Sequence, residues 1–381
     1  MNVLLVSMQK LPAFGGVNSY VSDLTTSLRN LNINVDILSQ SDISNLPESS
    51  LNRINKYQEI LIKKAPNFSK IIVDFEVGKF ALKELLRRVD ITKYDLIHSQ
   101  DGIFSKACKE IFPNVPLVGT IHGSFVDEYL YLRMIKDQFH KNFFSRFDSW
   151  AVEYPDIVIT PSIHLDPSLP SIPSNKRKII NHGINTNQFK NQKKNFEKLK
   201  IVTASSLYYY KGLDILMEAL IKLQSNNIEF SLEVYGDGPE RVNLERISIE
   251  NKLPIDFKGK INRELLPDAL SKANIFVQAS RIESFGLSVT EAMASGCVPV
   301  CSAIGGLKEQ IKNLENGILF ESENSNELYK KLKFLNEEKE SFRIMSENAE
   351  LKARETYNME KMALATKEIY NESMLKNMAF T

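Results

Sequence analysis

The chain has 381 residues, which is more than one ordinary hydrophobic core organises and favours two domains. Its 48 lysines and arginines nearly balance its 47 aspartates and glutamates, which argues against a protein that binds nucleic acid or an anionic membrane through a strong positive field. No apolar run approaches the roughly 18–20 residues of a membrane span, and three cysteines among apolar residues indicate structural thiols in a reducing cytoplasm rather than disulfides or a metal site.

Strands and helices alternate along the chain, which is typical of parallel sheets built from βα units. In the first half, the spacing of apolar residues from Val17 to Leu31 predicts a helix. Residues 41–70 show no regular pattern and are predicted to influence specificity. The lysine-rich segment 190–200 is predicted to link two domains. The tail from about residue 324 to 375 is predicted to be helical. The predicted strands are 2–8, 33–38, 95–97, 116–119, 156–160, 178–180, 200–206, 229–235, 255–258, 274–278, 297–301 and 317–320.

The most informative segment lies between Arg281 and Val300. Glu283 follows a predicted strand and precedes a predicted helix, and Glu291 lies eight positions later. Open α/β sheets bind ligands where a strand gives way to a helix, and free amides at a helix start favour phosphate. Eight helical residues rise about 12 Å, farther than the about 5–5.5 Å of a retaining glycosidase pair. The two carboxylates therefore fit hydroxyl acceptors along one polyhydroxylated ligand, although two glutamates on a solvated helix would look the same.

Other candidate positions also stand where a predicted strand ends. Gly15 and Gly16 follow the first strand, His122 follows strand 116–119, and Lys211 with Gly212 follows strand 200–206. Glycine lets the backbone approach a ligand closely, and a lysine at such a junction is well placed to neutralise a diphosphate. Taken singly, a glycine pair is more often a plain turn, a lone histidine at a strand end is more often structural, and surface lysines are common.

In combination these segments resemble the family 4 glycosyltransferases, retaining enzymes of the GT-B fold. The resemblance rests mainly on S-R-x-E-S-F-G-L from Ser280 to Leu287 and on E-A-M-A-S-G from Glu291 to Gly296. It is supported by F-G-G-V at residues 14–17, T-x-H at 120–122, K-G at 211–212 and G-G-x-x-E at 305–309.

The resemblance implies an α/β protein with two Rossmann-like domains facing each other across a cleft. Residues 1–190, with a C-terminal helix at about 360–381, would form the acceptor-binding domain, and residues 191–359 the nucleotide-sugar-binding domain. The implied reaction transfers a sugar from a nucleotide-diphosphate sugar with retention of anomeric configuration. It would need no metal, since no D-x-D motif ends a predicted strand.

The resemblance also assigns roles to residues. His122, Lys211 and Glu283 are expected to be catalytic. The acceptor is expected to contact Gly15, Gly16, Asn18, Gln100 and His122. The donor is expected to contact Gly16, Ser206, Lys211, Gly236, Ile261, Glu283, Phe285, Gly286, Leu287 and Glu291.

One position departs from the family pattern. The arginine expected five residues before Lys211 is Ser206, and serine cannot supply the bidentate cation that arginine offers to a phosphate. Arg281 and Arg263 are candidates to replace it. This departure keeps open, as the alternative function, a non-catalytic partner of another glycosyltransferase. A different GT-B enzyme, such as a sugar phosphorylase or a nucleotide-sugar epimerase, is a second alternative. The absence of a G-x-G-x-x-G segment argues against a dehydrogenase.

We therefore expect a cytoplasmic enzyme, free or at the inner face of the cell membrane through peripheral contact, with no cofactor and no nucleic-acid partner. A UDP-sugar is the preferred donor, and a glycan, a lipid-linked molecule, a protein or a small molecule is the acceptor. Bacterial surface-glycan or glycoconjugate synthesis is the expected setting, and a homodimer stays open.

Overall fold

The structure, a computed structural model, describes residues 1–11, 15–65, 68–164, 167–190 and 194–378. The chain divides into two compact units. The first unit contains Met1–Pro161, Pro167–Ile180 and Met362–Thr381, and the second contains Ser162–Asp166 and Asn181–Lys361.

The first unit is built on a parallel sheet that has six strands within the described residues. They are β1 (Asn2–Ser7), β2 (Asn34–Ser39), β3 (Leu96–Ser99), β4 (Leu117–Thr120), β5 (Ile157–Thr160) and β6 (Arg177–Ile179). Their order across the sheet is β2-β1-β3-β4-β5-β6, and all neighbours run parallel. Every residue of β3, β4 and β5 is buried, as expected for strands covered by helices on both faces.

The second unit repeats this plan, again with six parallel strands in the part of the chain that the structure describes. They are β7 (Leu199–Ala204), β8 (Phe230–Tyr235), β9 (Ile255–Gly259), β10 (Ile275–Gln278), β11 (Val298–Ser302) and β12 (Ile318–Phe320). The order is β12-β11-β10-β7-β8-β9. All twelve strands predicted from the sequence are confirmed, with their ends shifted by no more than two residues.

Helices connect the strands in both units. They are α1 (Gly16–Asn30), α2 (Glu48–Lys64), α3 (Lys70–Leu86), α4 (Gly102–Ile111), α5 (Phe125–Tyr131), α6 (Gln138–Glu153), α7 (Leu213–Ser225), α8 (Arg241–Glu250), α9 (Leu266–Ser271), α10 (Leu287–Ala294), α11 (Leu307–Gln310), α12 (Ser325–Glu337), α13 (Lys339–Thr356) and α14 (Met359–Met378). The predicted helical tail is thus three helices, α12 to α14. None of the described helices combines the length and the apolar character that crossing a bilayer requires.

The second sheet carries an apolar cluster on each face, because successive residues of a strand point to opposite sides. Ile201 and Ile275 belong to the cluster that includes residues of α7 and α12. Their neighbours Val202 and Phe276 belong to the cluster that includes residues of α9 and α10. Because both faces of the sheet are buried, the strands are held in place, and so are the loops that follow them.

Two connecting segments differ from what their sequence patterns suggest. Residues 41–70 show no regular pattern in the sequence, yet a 3₁₀ helix (Gln40–Asn45) and α2 occupy most of them, and their influence on specificity stays a prediction. Only Ser50 and Ile54 of α2 are fully buried, so its narrow apolar face leaves a weak helical signal in the sequence. Residues 194–200 are not a free linker. The Lys194 ammonium donates to three backbone carbonyls of segment 270–273 at 2.6–3.1 Å, and β7 begins at Leu199.

The unit boundary also differs from the sequence assignment. Residues 181–190, assigned to the first domain, group with the second unit. The reason is local, because Ile184 pairs with Asn358 and Phe189 packs into the second unit's core. The binding roles given to the two domains stay predictions.

Candidate functional site

The main cluster of candidate side chains lies in the second unit, where β7 and β10 end side by side. After β7 the chain continues to β8 on one side, whereas β10 lies on the other, so the strand order reverses between β7 and β10. Such a reversal opens a crevice at the carboxyl ends of the strands, and ligands of open α/β sheets bind there. Lys211 follows β7 and Glu283 follows β10, and the Lys211 ammonium donates to Glu283 Oε2 at 2.8 Å.

Glu283 is held through one of its two carboxylate oxygens. Oε2 accepts from Lys211, from the Gln278 amide at 3.1 Å and, at 3.4 Å, from the Ser280 hydroxyl. No described residue donates to Oε1. The carboxylate is thus fixed in place with one oxygen left to accept hydrogen bonds from a ligand.

Close backbone contacts hold both side chains in these positions. Gly212 has a φ of +66°, and a Cβ at this position would lie 1.9 Å from the carbonyl oxygen of Ala279. Gly305 has a φ of +40°, and its Cβ would lie 1.8 Å from the carbonyl oxygen of Glu283. The loops after β7 and β11 therefore pack directly on the loop after β10, and only glycine fits at both positions.

The start of α10 adds an anion-binding element beside Glu283. Gly286, with a φ of 98°, precedes the helix and gives it no side-chain cap, so the first amides keep their hydrogen-bonding capacity for a ligand. Phe285 is buried against His182 and Tyr357, with ring centroids 5.1 and 5.7 Å apart. Its side chain belongs to the core, so only its backbone is available for the predicted donor contact.

Glu291 lies one turn further along α10 and is buried to 95%. Arg263 Nε is 3.9 Å from Glu291 Oε1. Ile261, two residues before Arg263, is half-buried after β9. Arg263, one of the two candidates to replace the missing arginine, therefore lies beside the predicted ribose-binding carboxylate.

Arg281 is occupied by other contacts. Its guanidinium binds Asp214 through two hydrogen bonds of 2.9 and 2.7 Å, Glu323 at 2.8 Å and the Tyr209 carbonyl at 2.6 Å. It also stacks on the Tyr209 ring at 3.8 Å. Arg281 thus anchors the segment that carries Lys211, and it does not replace the arginine missing at Ser206.

Ser206 and Gly236 complete the predicted donor residues of this unit. Ser206 is half-buried in the loop after β7. Gly236 follows β8 with its Cα close to the carbonyl of Ser205, where a Cβ would come within 1.8 Å. The loops after β7 and β8 are therefore in contact, and Ser206 lies beside that contact.

In the first unit, the structure brings His122 and Gln100 together at the ends of the adjacent strands β3 and β4. His122 Nε2 and Gln100 Oε1 are 2.9 Å apart, and the Tyr20 ring meets the imidazole edge-on with centroids 4.9 Å apart. Burial lowers the pKa of His122 to about 3, so the ring is neutral at physiological pH. With the amide oxygen facing the imidazole, Nε2 carries the proton and donates.

A second histidine of this unit, His98, has a structural role. It is fully buried and lies between the Tyr370 hydroxyl of α14 and the Thr120 hydroxyl, each at 2.7 Å. Burial lowers its pKa to about 3 as well.

The remaining predicted residues of this unit lie at or near the start of α1. Gly15 and Gly16 are exposed after β1, and Asn18 is largely buried in the helix. Phe14 of the predicted motif lies outside the described residues. These placements fit the predicted ligand contacts, which stay predictions.

The described residues contain no group of three His, Cys, Asp or Glu side chains arranged as metal ligands. Metal independence stays a prediction.

Comparison with known protein families identifies the family of this chain. Residues 14–188 match the family described as Glycosyltransferase Family 4, and residues 184–352 match that described as Glycosyl transferases group 1. The chain belongs to the family 4 glycosyltransferases. The glycosyltransferase assignment made from the sequence is thus confirmed, and the chain is an enzyme of this class.

Relatives of known name and structure agree with this assignment. An uncharacterized glycosyltransferase of Methanocaldococcus jannaschii is 24% identical, with 98% of both chains covered. The structure of sucrose-phosphate synthase from Thermosynechococcus elongatus has a TM-score of 0.74 at 20% identity, covering 97% of this chain and 98% of that one. HepE of Anabaena has a TM-score of 0.71 at 18% identity, covering 98% and 100%. The GT-B fold of this glycosyltransferase is thereby confirmed.

Proposed function

We propose that this glycosyltransferase moves the sugar of a UDP-sugar to an acceptor, with retention of anomeric configuration and without a metal. The observation that carries the proposal is the contact of Lys211 with Glu283 at the strand-order reversal of the second sheet. A cation for a diphosphate and a carboxylate for sugar hydroxyls lie there side by side, next to the uncapped start of α10.

In the proposed reaction, the bond between the anomeric carbon and the β-phosphate oxygen breaks. The acceptor hydroxyl oxygen bonds to the same face of that carbon, and its proton leaves with the diphosphate. Lys211 and the first amides of α10 stabilise the negative charge that grows on the leaving group. Glu283 orients the sugar through its hydroxyls, and Glu291 binds the ribose hydroxyls.

We assign His122 and Gln100 to the acceptor side. Because the pKa of His122 is about 3, the imidazole acts as a neutral hydrogen-bonding group and adds no positive charge. The hydrogen bond to Gln100 fixes which ring nitrogen carries the proton.

Uridine is proposed from two lines of support. The family resemblance favours UDP-sugars, and HepE of Anabaena, which shares this fold, has been solved in complex with UDP and with UDP-glucose. Three buried free thiols support a reducing, cytoplasmic setting for the reaction. A surface glycan or glycoconjugate is the acceptor class we propose, with peripheral contact at the inner face of the membrane.

The test is a donor screen with purified protein. UDP-, GDP-, ADP- and dTDP-sugars are incubated with and without EDTA, released nucleoside diphosphate is quantified, and product anomers are identified by NMR. We expect release from a UDP-sugar that EDTA does not change. Lys211→Ala should lower kcat/KM about 100-fold, the typical cost of removing one group that stabilises a leaving group, and Glu283→Ala should act similarly.

A matched control comes from the other edge of the same sheet. Lys198 and Glu229 also form a lysine–glutamate pair, at 2.7 Å, just before β7 and β8 begin. Lys198→Ala should leave nucleotide release unchanged. Equal losses in Lys198→Ala and Lys211→Ala would overturn the proposed site, and EDTA-sensitive release would overturn metal independence.

Ser206 predicts a slow enzyme and supplies a gain-of-function test. Ser206→Arg restores the cation that the family pattern has at this position, so we expect faster release from the same donor. If no donor is turned over or bound by the wild type, the transferase proposal fails and the non-catalytic partner becomes the better hypothesis.

A further inference from the structure

Gln278 is a buried amide in a place where the sequence pattern calls for an apolar side chain. It is the last residue of β10, after Ile275, Phe276 and Val277, and only 2% of it is exposed. An amide buried in this way is costly unless its polar atoms are hydrogen-bonded. The hydrogen bonds of the Gln278 side chain therefore indicate its role.

The orientation of the amide follows from its neighbours. Gln278 Nε2 lies 2.7 Å from the Ser280 hydroxyl and 3.1 Å from Glu283 Oε2. A carboxylate only accepts, so the NH₂ group must face Glu283. The amide oxygen Oε1 is then left buried with no hydrogen-bond partner among the described residues.

This arrangement satisfies the carboxylate of Glu283 while leaving an acceptor of Gln278 unpaired. A chain selected only for stability would place an apolar residue here and avoid that cost. The unpaired oxygen therefore indicates that the N–H groups of Gln278 serve Glu283.

We propose that Gln278 is a positioning residue that selects the donor sugar, an inference that rests on the proposed function. It binds Oε2 of Glu283 from inside the sheet, so that Oε1 stays directed to the sugar hydroxyls. It also gives Glu283 a neutral hydrogen-bond donor that does not bind phosphate. When the Lys211 ammonium turns to the diphosphate, the Gln278 amide still holds the carboxylate in place.

The proposal separates sugar binding from nucleotide binding, which calorimetry measures with UDP and UDP-glucose. Gln278→Leu keeps the size of the side chain and suits a buried strand, but it removes the N–H donor. We expect its affinity for UDP to stay within about twofold and its affinity for UDP-glucose to fall about tenfold, as for loss of a hydrogen bond to a charged group. Combined with Glu283→Gln, it should cause no further loss of UDP-glucose affinity.

A second variant gives a readout that packing alone would not change. Gln278→Glu has the same shape but donates to Glu283 only when its carboxyl carries a proton. Hydrolysis of UDP-glucose by this variant should be weak at pH 8 and recover towards pH 6, whereas the wild type should lack this recovery. The first variant, Gln278→Leu, should also discriminate less between UDP-glucose and its C4 epimer UDP-galactose, whichever of the two the wild type prefers.

Asn274→Ala is the structural control, since Asn274 is a buried amide at the opposite end of β10 with backbone partners. It should lower the melting temperature without changing the ratio of UDP to UDP-glucose affinity. Unchanged UDP-glucose affinity in Gln278→Leu, or a flat pH profile in Gln278→Glu, would overturn the inference alone. A wild type that binds neither UDP nor UDP-glucose would overturn the proposed function itself.

Discussion

Arg281 is the residue whose replacement tests the architecture of the site most directly. Its side chain is 6% exposed, and it joins Asp214 at the start of α7, Glu323 before α12 and the carbonyl of Tyr209. Removing one partner of a buried ion pair typically costs 3–5 kcal/mol. Because Asp214 and Glu323 are 35% and 62% exposed and regain water, we expect about 2–3 kcal/mol for Arg281→Met.

Thermal unfolding followed by circular dichroism measures this loss. For a unit of this size, the melting transition should fall by roughly 5–10 °C. Arg246→Met is the control, because Arg246 forms an exposed pair with Glu250 on α8 and should change the free energy of unfolding by less than about 0.5 kcal/mol. Equal stability of the two variants would refute the anchoring role.

Donor binding separates this role from a direct contact. Loss of the bond to the Tyr209 carbonyl should loosen the segment Tyr209–Lys211 and weaken UDP binding a few-fold in the still-folded variant. A variant of normal stability that no longer binds UDP would contradict us. It would show that Arg281 contacts the phosphates and replaces the arginine absent at Ser206.

Three further predictions concern stability. Gly212→Ala should cost about 3 kcal/mol by urea unfolding, because its Cβ meets the Ala279 carbonyl at a positive φ, whereas Gly78→Ala has open space and should be neutral or stabilising. The pKa of His98 falls from 6.5 to about 3 on folding, so the unfolded state takes up the proton as pH drops. Stability should therefore fall by about 2 kcal/mol between pH 7.5 and 5 from this group, and His98→Gln should remove that part of the urea-midpoint shift. Lys194→Met should lower the melting temperature, at a cost of about 2 kcal/mol, because it removes an ammonium that three carbonyls share and leaves that of Ser271 without another donor among the described residues.

The strands could be predicted because parallel strands covered on both faces are short apolar runs between polar turns. The run from Ile275 to Val277 is one example, fully buried in β10. The same rule fails for α2, where two buried residues among seventeen give almost no periodic signal. It also fails near Lys194, whose charge looks like a solvated linker until the carbonyls of segment 270–273 are seen around it.

The sequence predicted which loops carry the candidate site, but it could not predict which side chains of those loops contact each other. Lys211 and Glu283 are 72 positions apart, and only the strand order β10-β7 brings their side chains together. The capture of Arg281 by Asp214 depends on a similar separation of 67 positions. Gln278 could have been suspected from the sequence, since a polar residue at the end of an apolar strand is unusual, but its partner could not.

The pairing of Lys211 with Glu283 has a consequence for the order of affinities. A diphosphate alone must compete with the carboxylate for the ammonium at 2.8 Å, whereas a complete donor also brings sugar hydroxyls that donate to Glu283 and compensate for the weakened pair. We therefore expect UDP-glucose to bind more tightly than UDP. Glu283→Gln should reverse the order, because a neutral amide releases Lys211 to the diphosphate and no longer accepts as strongly from the sugar. Calorimetry with both ligands measures this, and a Glu283→Gln variant that binds UDP more weakly than the wild type would show that the pair does not hold the ammonium back from the diphosphate.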